Sequence, residues 1–253
     1  MMSLAGCGRV RFEAAPVDGA LDTAKLTYRN AVVADAPLAY WRLGAGAIAR
    51  DEMGRFDGMF GGVCTSVSGL IAGDSDSAIL FDGASCSVSV GMQLDFPGTA
   101  PYSIEAWFSK TPGGNNYQNL FSRETRNVNP IDGYALLVAK LPPAGLYLER
   151  VVSTQNRLTN RFLPVDNTTI HAVGVYTGSE MQLWQDGVLL TTLSDTRVMA
   201  TSNARALIGA GFDASISQFF NGTLDEVAIY DKALTIDQIK LHHEVGTLGP
   251  REQ

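Results

Sequence analysis

The sequence predicts an all-β fold: two antiparallel sheets packed face to face, with one short helix after the last strand. Residues 102–108 alternate cleanly, with Tyr102, Ile104, Ala106 and Phe108 on one side and Ser103, Glu105 and Trp107 on the other, the period-two pattern of a half-buried strand. Residues 181–190 carry Asp186-Gly187 between two strand-like runs, and Asp-Gly favours the positive φ values that a tight type I′ hairpin turn requires. Residues 223–230 alternate again. Asp231-Lys232 then supplies turn chemistry, and Thr235 stands three residues before Gln238, the spacing of a capping box that opens a short amphipathic helix.

The remaining elements follow in chain order. Residues 26–32 read as a short helix leading into the sandwich, and residues 78–81 as a strand. In residues 85–90, Cys86, Val88 and Val90 share one strand face and the serines the other. Residues 110–132, with Pro112, Gly113 and Gly114, read as a long loop; Asn115, Asn116, Tyr117 and Arg123 in it are candidate ligand-binding residues, because amides, a guanidinium and a phenol together suit hydrogen bonding and stacking on a sugar. Trp184, just before the hairpin turn, is a candidate aromatic platform. Strands follow at 134–138, 145–151, 171–176 and 206–208. Roughly a dozen strands are too many for one flat sheet, so two packed sheets are expected. The organisation is an arm over 1–35, one sandwich over 36–246 and a tail over 247–253.

Composition narrows the function classes. The 253 residues carry a net charge of −7 with no Lys/Arg stripe, which opposes binding to nucleic acid. Charged residues make up only 18% of the chain, and 26 glycines are spread through it, which suits many short strands and turns rather than disorder. No apolar run reaches the ~20 residues that span a bilayer. Leu4 to Cys7 matches the lipobox at which bacterial lipoprotein precursors are acylated, making Cys7 a lipidation candidate, although only six residues precede it. An outer-surface lipoprotein with a start codon upstream, or an ordinary cysteine in an arm, are the two readings. Of the three cysteines at least one is unpaired in a monomer; Cys86 is expected as a small buried hydrophobe, and Cys64 is its one candidate disulfide partner within the sandwich.

The blocks at 36–44, 81–83, 102–108, 171–187 and 220–234 occur in an order that resembles laminin-G-like, concanavalin-A-like jelly-roll domains over residues 38–246. The resemblance implies a jelly-roll sandwich whose members serve as lectins, adhesins, enzyme-attached binding modules and virus-particle proteins. It also implies a structural Ca²⁺ clamping an early loop to the last strand, for which Asp225 and Asp51 are the candidate ligands. Tyr40, Trp41 and Trp107 fall in blocks that build the fold and are expected to pack, and Asp82 is expected as a turn residue.

Catalysis is not expected. No Glu-x-Asp-x-x-Glu motif provides two carboxylates on one strand face, and Asp225-Glu226 are expected on opposite faces of their strand. No Gly-x-Ser-x-Gly elbow accompanies His171 or His242-His243, and there is no phosphate-cradling glycine loop. The leading expectation is a non-catalytic lectin-like recognition or adhesion module on an extracellular surface, binding a glycan or a surface protein. The alternative is a bacteriophage virion component of decoration, tail or fibre type, assembled as a homo-oligomer or with virion neighbours through its N-terminal arm.

Overall fold

The structure, a computed structural model, describes residues 26–251 apart from 125–131, 153, 160–161 and 214. Cys7 and most of the N-terminal arm therefore lie outside the described residues. In chain order the elements are α1 (Tyr28–Ala34), β1 (Ala39–Trp41), β2 (Ile48–Ala49), β3 (Gly58–Gly61), β4 (Cys64–Ser68), β5 (Ser77–Asp82), β6 (Ser87–Gly91), β7 (Tyr102–Lys110) and β8 (Tyr117–Glu124). They continue as β9 (Asp132–Ala139), β10 (Gly145–Val152), β11 (Thr154–Thr159), β12 (Thr169–Tyr176), β13 (Glu180–Gln185), β14 (Val188–Ser194), β15 (Ala206–Ile208), β16 (Gly211–Asp213), β17 (Ser215–Ser217), β18 (Asn221–Tyr230) and α2 (Ile236–Leu248).

Two eight-stranded antiparallel sheets form the jelly-roll sandwich. One runs β14-β13-β12-β7-β18-β5-β4, with β1 also pairing β18; the other runs β11-β10-β9-β8-β15-β6-β3-β2. Alternation decides which side chains meet between them. Tyr102, Ile104, Ala106 and Phe108 from β7 point inward with Cys86, Val88 and Val90, and they join Tyr134, Leu136 and Val138 of β9 in one continuous core. Trp41 closes this core with no exposure, its indole N–H donating to Phe56 O at 2.7 Å. Removing such apolar surface from water, at roughly 25 cal/mol per Å², is the main force holding the sheets together.

The opposite face of the first sheet is not solvated at its centre, as a half-buried strand would be, although edge strands β4 and β14 are exposed. β7 is buried along nearly its whole length because α1 and α2 lie over it; Tyr28, Val32, Ile239 and Val245 pack on Trp107, Val173, Trp184 and Tyr230. Residues 26–35 thus belong to the packed body, not to the arm, and Leu26 N donates to Arg251 O at 2.7 Å, tying the first described residue to the last. Thr235 and Gln238 form the reciprocal capping box at the start of α2. Asp186 and Gly187 have φ of 51° and 73°, the conformation of a type I′ turn. Asp82 organises its turn, accepting backbone N–H groups from Ala84, Ser85 and Cys86. Among the described residues no helix is long and apolar enough to cross a membrane.

Two expectations need correction. Much of residues 110–132 is the strand β8, which alternation missed because a bulge between Asn119 and Phe121 puts Leu120 and Phe121 both into the core. Cys86 is buried, and it is also disulfide-bonded to Cys64 across a separation of 22 residues. This bond pins edge strand β4 to the start of β6. A Cys64→Ala/Cys86→Ala double variant is expected to lose about 3 kcal/mol, the loop-closure entropy of a loop that long, and equilibrium urea unfolding checks it.

Candidate functional site

Most of the residues singled out for ligand binding take part in the framework, whereas Asn116 is exposed and bonded, among the described residues, only through its backbone. Asn115 Nδ2 donates to Gly83 O and Phe219 O, both at 3.1 Å, and so ties the loop between β7 and β8 to two others. Asn116 O accepts from Lys140 N at 2.8 Å, and Tyr117 begins β8 half-buried against Tyr147. Arg123 has no exposure. Its guanidinium donates to Gln93 O, Met92 O, Ser202 O and Asp95 Oδ1, so it crosslinks the end of the sandwich and reaches no ligand surface. Trp184 is not a platform: it is 5% exposed, lies under the helical layer, and donates from Nε1 to Gln182 Oε1. Burial by α2 is what a strand-level reading of Trp184 could not include.

Asp51 and Asp225 are each held by backbone donors. Asp51 Oδ1 accepts from Tyr40 N and Met53 N, and Oδ2 from Arg55 N and Phe56 N, between 2.8 and 3.0 Å. Four N–H groups occupy the lone pairs a cation would need. Asp225 Oδ2 accepts from Leu70 N at 2.7 Å, while Oδ1 is buried without a partner. A bulge between Asp225 and Ala228, with Glu226 at φ 53°, turns Asp225 and Glu226 to the same outer face of β18 instead of opposite faces. Leu224 and Val227 on either side still point into the core.

The positive charge beside these carboxylates is a guanidinium. Arg42 Nε lies 3.1 Å from Glu226 Oε1, and its Nη2 lies 2.7 Å from Asp74 Oδ2 and 3.3 Å from Asp76 Oδ2. The Tyr40 hydroxyl donates to Glu226 Oε2. Burial, and then the neighbouring Asp225, push the Glu226 carboxyl well above the ordinary range against the pull of Arg42. Burial also lifts Asp225 to about 7. This donor set does not fit the calcium ion that the resemblance implies: Asp51 is saturated, and a fixed cation already stands among the other carboxylates. Among the described residues no group of three or more His, Cys, Asp or Glu side chains is arranged to hold a metal.

A second polar cluster, which the sequence reading missed, lies between the helices and the sheet. Glu105 is fully buried on β7; its Oε1 accepts from the Tyr28 hydroxyl at 2.9 Å and meets His171 Nε2 at 2.8 Å, and its Oε2 accepts from the Tyr230 hydroxyl at 2.8 Å. His242 Nδ1 stands 3.1 Å from both oxygens, and its Nε2 is 3.0 Å from Asp35 Oδ2. Burial opposes a charged imidazole, but Glu105 and Asp35 outweigh it and raise the His242 pKa to about 10. Burial likewise opposes the Glu105 carboxylate, and His242 and His171 overcome it, holding its pKa well below the ordinary value. The one available signal was a glutamate inside a strand with aromatic neighbours, since a buried carboxylate needs partners.

Beside this cluster a cleft of about 450 Å³ opens between residues 69–72 and the second half of α2, with Trp107, Thr169, Asp186, His243 and Thr247 in its wall. That volume lies within the range of small-molecule sites. Trp107 is 3% exposed, its Nε1–H has no partner, and its ring stacks with His171 at 4.7 Å and with His243 at 5.9 Å between centroids. Gly246 is required at the crossing, because a Cβ there would come within 2.3 Å of the Trp107 ring.

The chain belongs to the concanavalin A-like lectin/glucanases superfamily, whose laminin-G-type sequence model matches residues 82–240. Among curated proteins, no sequence matches the chain. Among solved structures, it is similar to domain 4 of AbnA, a GH43 extracellular arabinanase from Geobacillus stearothermophilus, in complex with arabinotriose: TM-score 0.64, 18% identity, covering 82% of this chain and 98% of that domain. It is also similar to the binding domain of Paraclostridial Mosquitocidal Protein 1, with TM-score 0.62 and 13% identity over 81% of this chain and 51% of the other. A Trypanosoma rangeli sialidase mutant matches at TM-score 0.60 and 11% identity, over 84% of this chain and 33% of that protein. These similarities establish a shared fold.

Arg42→Ala is expected to cost about 2–4 kcal/mol, because it strands partly buried carboxylates; the parent protein is expected to melt at the same temperature in EDTA as in calcium, a comparison that calorimetry makes directly. Asp225 supplies a pH test. Its pKa is raised on folding from 3.8 to about 7, so its stabilising contribution is full below the lower value and lost as pH rises through the higher. At about 1.4 kcal/mol per pKa unit, Asp225→Asn should gain a few kcal/mol relative to the parent between pH 4 and 7, read from denaturation midpoints across that range.

Proposed function

We propose that the protein is a non-catalytic recognition module that binds carbohydrate at an exterior surface. The observation that carries this reading is the extent of the likeness to the arabinanase domain solved with arabinotriose: nearly all of that domain is matched, so the shared unit is a whole domain that holds a sugar. The superfamily it belongs to includes lectins by its own description. The Cys64–Cys86 disulfide supports an oxidising, extracytoplasmic setting. Asp225 and Glu226, the adjacent carboxylates that share a face, are 2% and 1% exposed and held by Leu70 N, Tyr40 and Arg42, so they cannot flank a glycosidic bond.

Saturable binding to one class of glycan on an array, without release of reducing ends from the same glycans, is the expected outcome. Absence of binding to every glycan, together with sedimentation as a large assembly, would instead support the particle-component reading, which rests on the N-terminal arm.

A further inference from the structure

The geometry points to the cleft beneath α2 as a binding site for a neutral sugar residue, with Trp107 Nε1–H, Thr169, Thr247 and Asp186 as its hydrogen-bonding groups and the His243 ring as its aromatic wall. This assignment rests on the carbohydrate reading above and goes beyond it by locating the site and choosing among sugar classes.

The chemistry of the wall makes the choice. A buried indole N–H without an acceptor is costly unless something supplies an oxygen, and Trp107, which borders the cleft while almost wholly removed from solvent, keeps that donor unpartnered. Thr169 and Thr247 bring hydroxyl groups that can donate and accept, and the Thr247 hydroxyl, 3.4 Å from His243 Nδ1, keeps further capacity for a ring bearing several hydroxyls. Asp186 is oriented before any ligand arrives: Oδ1 accepts from His171 N at 2.9 Å and Oδ2 from Gln185 Nε2 at 3.1 Å, which leaves acceptor capacity on both oxygens. No lysine or arginine lines the cleft, and burial together with the neighbouring His171 lowers the His243 pKa against the opposing pull of Asp186. Asp186 therefore sets the sign of the local field. A sugar carboxylate would meet a fixed negative charge with no cation to pair it, while a neutral hydroxyl would find an acceptor. The His243 ring lies 11° from the plane of Trp107, so the two helix-side and sheet-side aromatics hold each other in a fixed orientation.

The site also has rigid supports. The Asp186-Gly187 turn abuts α2, since a Cβ on Gly187 would be 3.3 Å from His243 Cδ2, and Gly246 seats the helix on Trp107. The helix side is thus seated on the sandwich, and the loop opposite is tied down by Leu70 N–H donating to Asp225 Oδ2 and Ala72 N–H donating to Gly246 O.

The test titrates the full-length protein with neutral and acidic glycans chosen as matched pairs, arabinotriose and lactose against sialyllactose, with the wider array as the source of further neutral probes. Binding is followed by calorimetry and by the Trp107 indole N–H resonance, assigned through Trp107→Phe. Expected are saturable binding of a neutral glycan, displacement of that resonance with the same saturation curve, at least tenfold weaker binding in Thr247→Trp with an unchanged melting temperature, and a narrower neutral-over-acidic preference in Asp186→Asn. If the parent binds a neutral glycan but Thr247→Trp binds equally well and the Trp107 resonance stays still, the site is elsewhere and only this inference falls. Preference for sialyllactose over lactose overturns the neutral assignment. Failure to bind any glycan, neutral or acidic, overturns the carbohydrate reading itself and this inference with it.

Discussion

The arrangement of the outer layer depends on one buried carboxylate. Glu105 sits with no exposure in the middle of a central strand, where an ionised group is tolerated only if it is fully partnered. Its partners come from α1, β12, β18 and α2, namely Tyr28, His171, Tyr230 and His242, and Asp35 completes the network from behind His242. Apolar contacts alone would let either helix slide along the sheet at little cost. The directional bonds to Glu105 permit one seating, and that seating brings His243 and Gly246 over Trp107 and so shapes the cleft.

A different solution operates at the other end of β18. There four acidic side chains, Asp74, Asp76, Asp225 and Glu226, gather where residues 69–76 cross the strand, and the chain answers them with the guanidinium of Arg42 and with a proton retained by burial. A covalently attached cation neutralises part of this crossing, and the negative excess that remains makes it sensitive to pH. The two clusters divide the labour: the histidine cluster orders the helices, and the arginine cluster orders the crossing loop that forms the far wall of the cleft.

Local signals were read correctly where one short segment carries the whole cause. The Asp186-Gly187 turn and the Thr235/Gln238 cap are each determined within four residues, and the strict alternation of 102–108 places its aromatic and polar faces as the structure does. Reading failed where a single residue changes the phase. The bulge in β8 hid a strand inside an expected loop, and the bulge at Glu226 brought two carboxylates to a face where alternation allowed one. It failed also where a distant element covers a side chain, as α2 covers Trp184 and the sandwich end encloses Arg123.

The sequence by itself determined the sandwich, its closing helix and the family to which it belongs, because hydrophobic period, turn chemistry and capping are short-range properties written along the chain. The tertiary structure alone decided that Glu105, His171 and His242 meet, that Arg42 stands among the acidic residues of β18 and its crossing loop, and that Trp107 borders a cleft. Those pairings join positions 32 to 184 residues apart, and no local pattern records them, since they arise only when two sheets and two helices bury their faces together.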